Sequence, residues 1–233
     1  MNEPTPIYAD ESVTLYCGDC RVIGSAVVER FGVDHVITDP PYDAQTHAGA
    51  RTTVARLATR LVIAFDPSDP MTLAPWLSTF ARRWVIAFSS LELLGEYRRA
   101  VGDAWMRAGF WHRPNGMPQI SGDRPAQPGE GLAIWHRSLA EGRVGRARWN
   151  GGGKMAFYTC GVEHYSRIHP TQKPEALLAA LIADFTDSGD VIFDPFAGSS
   201  TTLVAAKRLG RRAIGIELSE SWCHAGIERL RQE

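Results

Sequence analysis

Two stretches of the sequence each end an apolar run with an acid, a proline and an aromatic residue. VITDPPYD brings together a carboxylate, two prolines and a flat ring, in Asp39, Pro40, Pro41 and Tyr42. VIFDPFAGSST, about 155 residues further on, places Asp194 before a glycine turn. Acids at strand ends hold polar ligands, and a glycine turn lets a ligand approach the backbone. The two stretches therefore predict ligand sites, and only the second has the turn of a nucleotide site.

The glycine-containing stretch has the features of a nucleotide site. Gly198 and its small neighbours lie between a predicted strand and a predicted helix, where a ligand meets the helix N-terminus. Glu217 follows Asp194 by 23 residues, which is close to the spacing of an acid that binds ribose hydroxyls. The G-x-G-x-x-G turn of nicotinamide-dependent dehydrogenases is absent. The pattern favours a ligand with adenosine but no pyrophosphate, and a nucleotide-dependent oxidoreductase stays open as an alternative.

The glycine-free stretch suits the exocyclic amino group of a planar base. Asp39 and the carbonyl of Pro40 form a pair of acceptors whose direction is fixed, because proline restricts the backbone. Tyr42 adds a surface on which a base can stack. On these residues alone, a strand closed by a simple turn remains the alternative.

The elements that must position these residues alternate between strand and helix along the chain. This alternation predicts a doubly wound, mostly parallel α/β sheet, whose ligands bind at the carboxyl ends of the strands. Residues 93–109 are predicted as one helix of this pattern. The side of the sheet formed by these carboxyl ends is the ligand edge. Four predicted strands end in acids there, namely Asp19, Asp39, Asp194 and Glu217.

A stretch rich in Pro and Gly, with one predicted strand in GLAIWHR, interrupts the alternation at residues 110–168. The net charge of −1 hides a basic segment in this part of the chain. Residues 98–173 hold 12 Lys or Arg against 5 Asp or Glu, whereas the remainder holds 13 against 21. Such a segment suits contacts with nucleic-acid phosphates, and an ordinary solvated surface is the alternative.

Together, these motifs resemble the DNA amino-methyltransferases that use S-adenosylmethionine, in their permuted beta group. In that group D-P-P-Y lies near the N-terminus and the cofactor turn F-x-G near the C-terminus, here Phe196, Ala197 and Gly198. HPTQKP, at residues 169–174, stands just before the cofactor helix, as in that group. The middle segment is similar, more loosely, to the smaller methylases of phages and prophages. The resemblance covers most of the chain outside residues 110–168.

The resemblance implies a class I, Rossmann-like methyltransferase that acts on double-stranded DNA. The target base is rotated out of the duplex, and its amino nitrogen takes the methyl group directly. Asp39 as the first residue of D-P-P-Y favours adenine N6 over cytosine N4, which stays open. A methyltransferase for RNA or protein and an inactive nucleic-acid-binding homologue also stay open.

The resemblance also assigns roles to individual residues, and it requires no metal. Residues 1–109 are expected to carry the substrate motif, residues 110–168 the target-recognition insert, and residues 169–233 the cofactor site. The catalytic residues are Asp39, Pro40, Pro41 and Tyr42, with Tyr42 stacking on the base. The cofactor residues are Asp19, Thr171, Lys173, Asp194, Phe196, Ala197, Gly198, Ser199 and Glu217. Candidate DNA contacts, chosen by charge, are Arg51, Arg56, Arg113, Arg124, Arg143, Arg146, Arg148 and Lys154.

The remaining expectations concern the cellular setting. The N-terminus lacks the basic and apolar regions of a secretory signal, and no apolar run reaches the length of a membrane span. The four cysteines are expected to be reduced thiols, which fits a cytoplasmic protein of a bacterial cell or a phage-infected host. A homodimer is an expectation from the resemblance. The sequence does not establish a restriction endonuclease partner.

Overall fold

The computed structural model describes residues 3–41, 69–137, 147–162 and 172–233. The strands in these ranges are β1 (Tyr8–Ala9), β2 (Val13–Cys17), β3 (His35–Thr38), β4 (Trp84–Ser89), β5 (Trp105–His112), β6 (Gly129–His136), β7 (Phe157–Thr159), β8 (Val191–Asp194) and β9 (Arg212–Glu217). The helices are α1 (Cys20–Phe31), α2 (Pro70–Phe80), α3 (Leu94–Val101), α4 (Glu175–Phe185), α5 (Thr201–Arg208) and α6 (Glu220–Arg231). None of these described helices is long and apolar enough to cross a membrane.

The nine strands form one sheet in the order β1-β2-β9-β8-β3-β4-β6-β5-β7. Strands β2, β9, β8, β3 and β4 run parallel to one another. Strand β6 is antiparallel to its neighbours β4 and β5, and β7 is parallel to β5. The predicted α/β class with a mostly parallel sheet is confirmed. Because β8 lies directly beside β3, the two motif-bearing strands end side by side.

Helices cover both faces of the sheet, which explains the continuous apolar runs of its central strands. Every residue of β3, β4 and β8 is buried. Successive side chains point to opposite faces, so Val36 packs with α1, α2 and α3, whereas Ile37 packs with α4, α5 and α6. The sheet is therefore a rigid layer that holds the strand ends in place.

The prediction of one helix over residues 93–109 is wrong. Helix α3 ends at Val101, a 3-10 turn follows at Gly102–Ala104, and β5 begins at Trp105. Gly102 has φ 53° and ψ −124°, a conformation that ends a helix and that glycine adopts readily. The helical spacing of Leu94, Tyr97 and Val101 continues to Trp105, but Trp105 and the residues after it gain more by pairing with β6.

Strands β5, β6 and β7 extend the same sheet that carries the motifs. The strand predicted in the insert, residues 131–137, lies almost wholly within β6, which is an inner strand between β4 and β5. The part of residues 110–168 that the structure describes therefore contributes to the sheet as well as to loops. Target recognition by this segment stays a prediction.

Two helical glycines test how tightly α6 packs against the turn after β8. A Cβ at Gly226 would lie 2.3 Å from Oγ of the buried Ser200, whereas no described atom lies within 4 Å of a Cβ at Gly95 in α3. Gly226→Ala is expected to lower the free energy of unfolding by about 1–3 kcal/mol through this clash. The matched Gly95→Ala should raise it by up to about 1 kcal/mol, through helix propensity alone. Denaturant titrations measure both, and a gain at both positions would contradict the tight contact.

Candidate active site

The carboxyl ends of the parallel strands bring four acids to one edge of the sheet. Cys17 pairs with Glu217 across β2 and β9, and Asp194 pairs with Gly215 across β8 and β9. Because β3 lies beside β8, Asp39 follows Asp194 along this edge. The order along the edge is Asp19, Glu217, Asp194 and Asp39, as predicted for ligand-binding strand ends.

The turn after β8 is held open by unusual backbone angles. Gly198 has φ 51° and Ser200 has φ 64°, the latter in a region that non-glycine residues rarely adopt. The N–H of Gly198 donates to Oε2 of Glu217 at 2.8 Å, and the N–H of Ser219 donates to Oε1 at 2.8 Å. No described atom lies within 4 Å of a Cβ placed on Gly198. The turn therefore leaves room for a ligand to approach its backbone.

Arg229 of α6 fixes the same turn from the helical side. Its Nη1 donates to the carbonyl of Ser199 and to Oγ1 of Thr201, each at 2.8 Å. Oγ of Ser199 also donates to Oε1 of Gln172 at 3.3 Å. Sequence reasoning missed Arg229, because a basic residue near the end of an amphipathic helix carries no local sign of a contact 30 residues away.

Asp194 is buried and links the two motif-bearing strands. It accepts hydrogen bonds from Oγ1 of Thr38 at 2.7 Å and from the N–H of Phe196 at 3.1 Å. Burial nevertheless raises the pKa of Asp194 to about 6. Burial also raises the pKa of Glu217, against the opposing effect of the backbone N–H groups that it accepts. Both acids of the glycine-turn half are thus costly to ionise without a further partner.

Lys173 joins Asp39 to a second acid, Glu130. Its Nζ lies 2.6 Å from Oδ2 of Asp39 and 2.9 Å from Oε2 of Glu130. The ammonium also lies 5.0 Å from the ring centre of Phe88 and 5.9 Å from that of Trp111. Burial alone lowers the pKa of Lys173, but the two carboxylates outweigh it and leave the pKa raised. The lysine is therefore charged at neutral pH.

Glu130 was not predicted as a site residue. It lies near the start of β6, and strand starts in a parallel sheet lie away from the ligand edge. Because β6 is antiparallel, its first residues lie beside the ends of β4 and β5, as the pairs Ser89–Gly131 and His112–Gly129 show. The one signal in the sequence is an acid directly before the apolar run of GLAIWH.

Two predicted cofactor residues have contacts that refine their roles. Lys173, expected near the methionine end of the cofactor, contacts Asp39, and its place beside the cofactor stays a prediction. Asp19 caps α1 by accepting from the N–H of Arg21 at 2.9 Å, and it pairs with the Arg21 guanidinium at 2.7 Å. The structure brings Asp194, Phe196, Ala197, Gly198, Ser199 and Glu217 together around one turn. Tyr42, Arg51, Arg56, Arg143, Arg146 and Thr171 lie outside the described residues.

The described basic residues do not share one surface. Arg113 pairs with Glu130 at 3.3 Å, and Arg124 pairs with Asp123 at 3.5 Å in the exposed loop that joins β5 to β6 at the ligand edge.

Arg148 lies at the opposite end of the strands, away from their carboxyl ends. Its carbonyl accepts from Nε1 of Trp84, the first residue of β4, and its guanidinium pairs with Asp187 at 3.2 Å. Lys154 pairs with Asp184 near the end of α4, at 2.9 Å.

Part of the chain is similar in sequence to known DNA methylases. Residues 132–228 match the model of the N6_N4_Mtase family, described as DNA methylase. The type II methyltransferase M2.DpnII of Streptococcus pneumoniae is 43% identical over 97 residues, which are 42% of this chain and 34% of that protein. The chain spans about a third of the length of the curated relatives it matches.

Solved structures match over almost the whole chain. The M1.HpyAVI–SAM complex aligns with TM-score 0.70 and 20% identity, over 94% of this chain and 98% of that one. The cytosine-N4-specific PvuII DNA methyltransferase aligns with TM-score 0.66 and 15% identity, over 97% of this chain and 89% of that one. The class I methyltransferase fold is thereby confirmed.

The pKa of Asp194 predicts a pH-dependent stability. Because the folded pKa is about 6 and the ordinary value is 3.8, the folded protein binds an extra proton between these pH values. Stability from this group is present below about pH 4 and is lost as the pH rises to about 6, by roughly 3 kcal/mol. Asp194→Asn should abolish this loss. Denaturant unfolding of both proteins from pH 4 to 7 measures it, and parallel stability curves would contradict it.

Proposed function

We propose that this chain, whose residues 132–228 match the DNA methylase family, is a DNA methyltransferase that transfers the methyl group of S-adenosylmethionine to N6 of adenine. The observation that carries the proposal is the pairing of β3 with β8. It sets Asp39 of D-P-P-Y beside the turn formed by Gly198 and Glu217. The likeness to M2.DpnII and to the M1.HpyAVI–SAM complex supports the same assignment.

The residues around the turn suit the cofactor. Glu217 is partly buried, accepts only backbone N–H groups among the described contacts, and has a raised pKa. Ribose hydroxyls would supply the further donors that such a carboxylate needs. Gly198 leaves space in front of its backbone, and Phe196 with Trp76 offers aromatic surface next to it. S-adenosylmethionine, when bound, supplies a sulfonium methyl group.

On the substrate side, we assign to Asp39 and the carbonyl of Pro40 the binding of the amino group of a flipped base. Hydrogen bonds to both acceptors orient the nitrogen lone pair, which is otherwise delocalised into the ring. The carboxylate also stabilises the positive charge that develops on the nitrogen as the methyl group arrives. The proton leaves after transfer, so no strong base is needed. Tyr42 is assigned to stacking on the base.

The DNA-facing surface is proposed to be the ligand edge of the sheet. The loop between β5 and β6 lies at this edge and carries Arg113 and Arg124. Arg148 and Lys154 are held elsewhere by Asp187 and Asp184, so we do not assign them to the target site. A homodimer, a cytoplasmic location and a role in restriction–modification stay predictions from the resemblance.

Analysis of the methylated base separates adenine from cytosine as the target. The fold does not discriminate, because the cytosine-N4-specific PvuII enzyme shares it. We expect N6-methyladenine, on the basis of Asp39 in D-P-P-Y. Purified protein is incubated with DNA and labelled S-adenosylmethionine, and the nucleosides are then separated. N4-methylcytosine would establish the alternative, and label only in RNA or protein would overturn a DNA substrate.

Asp39→Asn is expected to stop transfer and to spare cofactor binding. The amide keeps the shape but loses the negative charge, and one of its positions becomes a donor that faces Lys173. The rate of transfer to DNA should fall by about 10³-fold or more. The dissociation constant for S-adenosylmethionine, measured by calorimetry, should stay within about twofold, since Glu217 is intact. Transfer at the wild-type rate would contradict the assignment.

Glu217→Gln is expected to weaken cofactor binding and to spare the transfer step. Loss of the charge-assisted hydrogen bonds should weaken S-adenosylmethionine binding by about tenfold to a hundredfold. At saturating cofactor, the transfer rate should recover to near the wild-type value. The matched control is Glu220→Gln, an exposed acid three positions further on in α6. Equal affinity of the Glu217 variant and the control would place the cofactor elsewhere.

A further inference from the structure

A chain of alternating charges joins Arg113 to Asp39 through Glu130 and Lys173, and Lys173 is its most buried member. Arg113 lies 3.3 Å from Oε1 of Glu130, and the other oxygen of Glu130 lies 2.9 Å from Nζ of Lys173. The same Nζ lies 2.6 Å from Asp39. The Lys173 side chain is 8% exposed, against 18% for Glu130 and 25% for both Asp39 and Arg113. The innermost cation is thus shared by two acids from different strands.

Sharing the cation changes what Asp39 can do. If Lys173 served Asp39 alone, a buried ion pair would neutralise most of the charge of the carboxylate. With Glu130 on the other side, the ammonium is shared between two acids, and Arg113 balances Glu130 from the far side. Asp39 is then only partly neutralised by Lys173 and keeps more of its strength as an acceptor. Such a carboxylate favours a reaction that places positive charge on the substrate nitrogen.

The surroundings also fix the position of the lysine. The rings of Phe88 and Trp111 lie 5.0 Å and 5.9 Å from its Nζ, in the range of cation–π attraction. Nε1 of Trp111 donates to the carbonyl of Cys160 at 2.8 Å, which holds that ring. An ammonium held by two acids and two rings has little freedom to move. Its partner Asp39 is therefore held with it.

We propose that Glu130 is a positioning residue, which acts through Lys173 to orient Asp39 and to preserve its negative charge. This inference rests on the proposed methyl transfer. Glu130 itself does not touch the base in this scheme. Its substitution is therefore expected to slow the transfer step without weakening the binding of DNA or of the cofactor.

Three variants test the proposal: Glu130→Gln, Lys173→Met and the double variant. Glu130→Gln keeps the size of the side chain and removes only its charge. It should lower kcat by about tenfold to a hundredfold, as a displaced or weakened Asp39 would. The dissociation constant for S-adenosylmethionine should stay within about twofold. The KM for DNA should not rise, since loss of the Glu130 charge only releases Arg113, a candidate DNA contact. The matched control is Glu96→Gln, which removes an exposed acid paired with Arg99 on α3.

The double variant shows whether Glu130 acts through Lys173. If it does, adding Glu130→Gln to Lys173→Met should cost no further activity, because the pathway is already broken. Multiplied losses would mean that Glu130 acts independently and would overturn the proposal. So would a rise in KM with kcat unchanged in Glu130→Gln.

The outcomes for the inference and for the proposed function are separable. An active wild type with an unimpaired Glu130→Gln variant overturns the inference alone, whereas a wild type that methylates no DNA overturns both. Thermal melting and cofactor binding identify a folding defect. A Glu130→Gln variant that loses cofactor affinity in proportion to its stability would assign Glu130 a structural role and overturn the proposal.

Discussion

The buried ion pair between Lys173 and Asp39 is the contact on which the candidate site depends. It joins residues 134 positions apart, one at the end of β3 and one just before α4. Removing two charges from water is costly, and the pair is sustained by Glu130 and by two aromatic rings. The segment that leads into the proposed cofactor half is thereby tied to the acid proposed to bind the substrate.

The three acids at the centre of the ligand edge differ in how their charge is balanced. Asp39 has a cation beside it, Glu217 has only backbone N–H groups, and Asp194 has two hydroxyls and one N–H. Burial therefore raises the pKa of Asp194 and of Glu217. An acid that lacks a cation is ready to accept hydroxyl donors from a ligand. An acid held by a cation keeps a fixed orientation, as the role proposed for Asp39 requires. The charge balance of the acids thus fits the proposed division between cofactor binding and substrate positioning.

Much of the fold could be predicted from the sequence, because each buried parallel strand is a continuous apolar run that needs no knowledge of its neighbours. Strands β3, β4 and β8 were predicted in this way. The prediction of a helix over residues 93–109 failed because helical spacing in Leu94, Tyr97 and Val101 ran on by chance into β5. Pairing of β5 with β6 is a long-range gain that a local pattern does not contain.

The residues of the candidate site that belong to a sequence motif could be predicted, and the others could not. The sequence alone identifies the strand ends that carry Asp39, Asp194 and Glu217, and the turn that carries Gly198. Glu130 reaches the edge only because β6 runs against its neighbours, and strand direction is a property of the assembled sheet.

Counting charges along the sequence also gives no information about which residues meet in the assembled sheet. It found a basic segment, but Arg113 faces Glu130 at the ligand edge, whereas Arg148 is drawn to Asp187 at the opposite end of the strands. The number of basic residues follows from composition, but the acids with which they form ion pairs are determined by the fold. A basic residue whose charge is already balanced by a nearby acid must exchange that partner before it can bind a phosphate. Binding then gains only the difference between two ion pairs.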